Sequence, residues 1–71
     1  MAENEHVNLI QSGVMTWNNW RAENPRVSPN LSGVNLSRMN LVGAKLTGAN
    51  LSKTNLSEAL LDGTSIEFAN L

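Results

Sequence analysis

Residues 34–58 read VNLSR MNLVG AKLTG ANLSK TNLSE, five blocks of five that align without a gap. The register holds outward from there, with Leu31, Leu36, Leu41, Leu46, Leu51, Leu56, Leu61, Ile66 and Leu71 on every fifth residue. Two places before each stands a residue that is mostly small, from Pro29 and Val34 through Ala44, Ala49 and Ala59 to Ala69. Between these sets lies Asn in six of nine units: Asn30, Asn35, Asn40, Asn50, Asn55 and Asn70. A period of five fits neither the roughly 3.6 residues of a helix nor the alternation of a flat strand, so a turn-rich solenoid remains. Gly33, Gly43, Gly48 and Gly63 each fall two places after the Leu position, where a corner needs a permissive backbone.

The quoted tract resembles the pentapeptide-repeat family, whose usual unit is A-[D/N]-L-x-x, over residues 29–71. The resemblance implies an all-β solenoid: a right-handed quadrilateral β-helix of about two coils, four units to the coil, with the Leu position and the small position pointing inward. It also implies that residues twenty apart stack, at a strand spacing of about 4.8 Å. Arg38 should then lie over Glu58, and Asn30, Asn50 and Asn70 should form a ladder. Leu60 and Phe68, which occupy an Asn place and a corner place, should point outward.

Residues 1–28 follow a different pattern. At roughly 100° per residue, Val7, Ile10, Val14 and Trp17 form an apolar stripe on a helix expected from about Asn4 to Ala22. Leu9, Gly13 and Trp20 extend the stripe along one side. Glu3 and Glu5 at its start and Arg21 at its end suit the helix dipole, and Pro25 and Pro29 stop it. The end of a solenoid exposes apolar centre and unpaired strand edges unless it is covered. Residues 1–28 are therefore read as a capping helix and hinge, with Val7, Ile10, Val14, Trp17 and Trp20 forming the cap. Trp17 is expected to be buried near Leu31 and Leu36. The run WNNWR followed by PNLSG is also similar to the leaders of bacterial, notably cyanobacterial, pentapeptide-repeat proteins.

Composition narrows the function. The 71 residues carry five Lys and Arg, six Asp and Glu, one His and no Cys. A net charge of -1 excludes a strongly basic nucleic-acid binder, and the lack of Cys and of a His cluster excludes thiolate and polyhistidine metal sites. No cofactor is expected. No long apolar run suggests a membrane span or an export signal, so no membrane partner is expected and the chain reads as cytoplasmic. An apolar helix face with two Trp could lie on a membrane, as the leader of a larger protein, but its polar face lacks the basic stripe this needs. His6, beside Glu5, reads as a solvated N-terminal histidine, and nothing converges with it for catalysis, so no enzyme is expected. The glycine spacing of Gly43–Gly48 mimics a phosphate loop, but Ala49 and Asn50 replace its Lys and hydroxyl residue. Long acidic members of the resembled family mimic DNA toward topoisomerases. That alternative is disfavoured here because Glu58, Asp62 and Glu67 are balanced by Arg38, Lys45 and Lys53.

The remaining reading is a non-catalytic protein–protein interaction or scaffolding module. Its candidate surface is Leu60, Phe68 and Leu71 at the C-terminal coil. That coil has no visible cover, and the expected cover is a protein partner, a second copy, in the simplest case a homodimer, or a natural C-terminal continuation.

Overall fold

The computed structural model describes residues 2–71. Two short helices, α1 (Asn4–Gln11) and α2 (Val14–Glu23), precede the repeats. The single helix expected over Asn4–Ala22 is thus broken in the middle. Gly13 sits at φ 116°, outside the helical region, and the Ser12 hydroxyl turns back to donate to the Asn8 carbonyl at 2.8 Å. Glycine reaches that backbone conformation at little steric cost, so the chain changes direction there.

Among the described residues the repeat tract contains no strand of regular length. Instead it pairs through five isolated parallel bridges: Asn30 with Asn50, Asn35 with Asn55, Asn40 with Leu60, Lys45 with Ser65, and Asn50 with Asn70. Every bridge spans twenty residues, so residues 30–50 trace one lap and residues 50–70 a second laid over it. The bridges are one residue wide because a turn follows each Leu position. The Val34 amide donates to the Leu31 carbonyl at 3.2 Å, and the same three-residue closure recurs at Met39, Ala44, Ala49, Thr54, Ala59, Thr64 and Ala69.

Each turn has its third residue at positive φ, at Gly33 (74°), Gly43 (77°), Gly48 (73°) and Gly63 (70°), as a type II turn requires. Arg38, Lys53, Glu58 and Phe68 hold the same conformation at 60–64° without being glycine. The recurrent Asn prepares the turn. Asn35 Oδ1 accepts from the Ser37 amide at 3.0 Å and from its hydroxyl at 2.6 Å, and the pairs Asn50–Ser52 and Asn55–Ser57 repeat the arrangement. Such an Asx turn holds the backbone locally, which accounts for Asn and Ser bracketing Leu.

Between laps the ladder has a fixed syntax. The Leu31 amide donates to the Asn50 carbonyl at 2.9 Å, the Asn50 amide to the Pro29 carbonyl at 2.8 Å, and the Gly33 amide to the Ser52 carbonyl at 2.9 Å. Leu31, Leu36, Leu41, Leu46, Ala44 and Ala49 are fully buried at the centre, together with Ile10 and Trp17 from the helices. Where Thr replaces Ala at the small position it finds a partner: Thr54 and Thr64 hydroxyls donate at 2.7 Å to the Leu31 and Leu41 carbonyls below them. Arg38 Nε meets Glu58 Oε1 at 3.3 Å, and Asn70 Nδ2 lies 3.5 Å from Asn50 Oδ1, both at the expected twenty-residue offset.

Candidate functional site

The two ends of the stack differ in what satisfies the ladder. At the start, the leader supplies substitutes for a preceding lap. On the Asn30 side, the Glu3 amide donates to the Asn30 carbonyl at 3.0 Å, the role Leu31 plays toward Asn50. The Asn30 amide donates to His6 Nδ1 at 3.0 Å, so an imidazole nitrogen stands where a carbonyl would be.

On the Lys45 side three residues of α2 do the same with side chains. Asn18 Oδ1 accepts from the Lys45 amide at 2.9 Å, while its Nδ2 donates to the Gly43 carbonyl at 3.0 Å. Trp17 Nε1 donates to the Lys45 carbonyl at 2.8 Å. Arg21 spreads its guanidinium over the Lys45, Val27 and Thr47 carbonyls at 3.2, 2.8 and 2.6 Å. Partial burial pushes the Arg21 guanidinium below its ordinary pKa. Among the described residues, the leader makes no hydrogen bond to the backbone of Asn35 or Asn40, so those two sides of the first lap keep open edges.

At the other end, the amides of Leu56, Leu61 and Ile66 and the carbonyls of Thr54, Ala59 and Thr64 make no hydrogen bond among the described residues. The inward positions there lose cover as well, with Leu61 41% and Ile66 46% exposed.

The residues singled out by sequence fall as follows. Ile10 and Trp17 are buried, Val7, Val14 and Trp20 are half-buried against the core, and the Trp17 and Trp20 rings meet at 5.3 Å. Trp17 Nε1 is anchored on the Lys45 side of the first lap. Leu60, Phe68 and Leu71 are all exposed, Phe68 the most at 94%. His6 departs from the sequence reading. It is buried rather than solvated, packed on Trp20 with ring centroids 4.9 Å apart. Its place one turn before Ile10 on the same face of α1 was the available signal. Asn18 and Arg21 had no such signal, because their partners are backbone groups.

Among the described residues no three His, Cys, Asp or Glu side chains gather as a metal site, and no helix is long and apolar enough to cross a membrane. A chain that lays one five-residue unit over itself every twenty residues is, by class, a repeat protein. Residues 40–71 match the family model described as pentapeptide repeats (8 copies), which supports the resemblance over that stretch. Comparison with curated proteins and with solved structures gave no match.

Proposed function

We propose that the chain is a non-catalytic protein–protein interaction module. In this reading residues 29–71 form a right-handed quadrilateral β-helix, residues 1–28 close its first lap, and the rim of the second lap is the docking surface. The observation that carries the reading is Phe68. Phe68 holds φ 60° as Arg38, Lys53 and Glu58 do at the same turn place, but it alone of these four is apolar, and its ring is 94% exposed. Leu60, at 57% exposure, and Leu71, at 73%, surround the same end with apolar surface. Apolar side chains beside unpaired ladder groups suit a partner that supplies both burial and backbone hydrogen bonds.

The occupant we favour is a second copy docked about a two-fold axis, because the rim is then self-complementary. Sedimentation at micromolar concentration should find a dimer, and Phe68→Glu should weaken it at least tenfold while leaving the monomer folded. A monomer at all concentrations, with the melting behaviour of a well-covered core, overturns the self-association reading.

A further inference from the structure

We infer that the Lys45 side of the stack carries a site for a phosphate monoester, in the cleft between α2 and the repeats. The cleft has a volume of about 280 Å³ and is lined by Arg21, Ala22, Pro25, Lys45, Thr47 and Ser65. The repeat pattern breaks at the same place. The unit position that elsewhere holds Asn is Lys45 in the first lap and Ser65 in the second, and the two are bridged one above the other. The third exception, Leu60, lies over Asn40 on a different side. At Asn30, Asn35, Asn40, Asn50 and Asn55 the side-chain oxygen accepts from the amide two residues on, which holds the turn. An ammonium cannot accept, so Lys45 gives up that bond and brings donors in its place. It is exposed and enters no ion pair among the described residues.

The groups along the cleft call for a ligand rich in acceptors. Arg21 spends its Nε hydrogen and one hydrogen on each terminal nitrogen on the Lys45, Val27 and Thr47 carbonyls, and keeps a second hydrogen on each terminal nitrogen. Lys45 adds an ammonium, and Thr47 and Ser65 add hydroxyls. Two full positive charges suit a phosphate monoester, which carries about −1.5 to −2 at neutral pH, better than a singly charged carboxylate. The cleft is several times the roughly 30 Å³ that one water takes in the liquid, which leaves room for a phosphate and a small organic part. Ala22 and Pro25 offer that part an apolar wall. Glu67 borders the site, with its Oε1 3.5 Å from Thr47 Oγ1, and its charge works against the ligand.

The glycine spacing of Gly43–Gly48 plays no part in this recognition. The amides that a phosphate loop would aim at its ligand are taken. Lys45 donates to Asn18 Oδ1 at 2.9 Å, Leu46 to the Ser65 carbonyl at 2.8 Å and Gly48 to the Glu67 carbonyl at 2.8 Å. Binding therefore falls to side chains. None of the lining residues belongs to the rim of Leu60, Phe68 and Leu71, so the site stands whether or not the chain self-associates.

The test titrates the full, nitrogen-15-labelled chain with inorganic phosphate and with phenyl phosphate at constant ionic strength, with chloride as the control anion. Both probes should give saturable shifts at the Lys45 and Thr47 amides and at the Arg21 Nε–H, and phenyl phosphate should bind severalfold tighter. The amide of Lys53, an exposed lysine outside the cleft, should not follow. Lys45→Asn restores the usual residue of the repeat, so the fold should hold while phenyl phosphate binding weakens about tenfold, as loss of a charge-assisted hydrogen bond implies. Glu67→Gln should strengthen binding severalfold, and a weakening would place the anion elsewhere. No saturable response beyond that to chloride, an equal response at Lys53, or a folded Lys45→Asn variant that binds like the parent overturns the site. Inorganic phosphate binding as tightly as phenyl phosphate overturns the monoester assignment. If Lys45→Asn does not fold, the parent's titration against chloride and Lys53 decides alone.

Discussion

Leu31, Leu36, Leu41 and Leu46 of the first lap are wholly buried, whereas Leu61 and Ile66 of the second are 41% and 46% exposed, although the units around them share one pattern. Among the described residues the first lap has the leader on one face and the second lap on the other, whereas the sides of the second lap at Leu56, Leu61 and Ile66 have ladder partners on one face. Burial in such a stack is a property of adjacency, not of the unit, as expected where each repeat touches only its neighbours. The leader matters for that reason. On the Asn30 and Lys45 sides it stands where a lap would, with four side chains and one backbone amide.

The largest expected effect is on that cover. Trp17→Ala removes a fully buried ring and the donor to the Lys45 carbonyl, and should cost about 3–5 kcal/mol in a denaturant melt. A variant as stable as the parent would show that the first lap does not depend on its leader. The two laps can then be set against each other directly. Leu41→Ala should cost about 2–5 kcal/mol and Leu61→Ala less than half as much. Equal costs, measured at a concentration where the chain is monomeric, would mean that exposure does not distinguish the laps.

Thr54→Val keeps the shape but removes the hydrogen bond to the Leu31 carbonyl, and should cost about 1 kcal/mol. The smallest effect is expected for Arg38 and Glu58, whose side chains are 80% and 71% exposed. A double-mutant cycle on that pair should give less than about 1 kcal/mol of coupling, fading with salt. A larger coupling would point to a corner held more rigidly than its exposure implies.

Much of the repeat tract was legible before any coordinates. The Leu period, the glycines at corners and the Asn–Ser bracket each report a local requirement of one turn, and a requirement repeated every five residues is visible in sequence. The leader was legible only as an amphipathic stripe. Gly13 lies on that stripe and reads as part of one helix, whereas its backbone conformation ends α1 and lets α2 turn. The functions of His6, Asn18 and Arg21 depend on which backbone groups of the first lap are left without a partner, and no periodicity in residues 1–28 encodes that. Phe68 stands out in sequence because it breaks the pattern, whereas its positive φ, shared with Arg38, Lys53 and Glu58, is visible only in the structure.

The twenty-residue step of the ladder also governs how a chain of this kind can change length. Loss or gain of one residue within the tract would turn every later leucine away from the centre, undoing the core from that point on. Loss or gain of five keeps the leucines inward and rotates everything downstream by one side. Deleting the unit Leu46–Asn50, for example, would bring Gly63 over Arg38 in place of Glu58 and set Ser65 over Asn40 in place of Leu60. Insertions and deletions therefore come in allowed quanta, and each allowed one rearranges the outer surface like a sliding rule while the inward positions stay apolar. New binding faces are accessible to such a chain by copying or dropping a unit, with no substitution in the core.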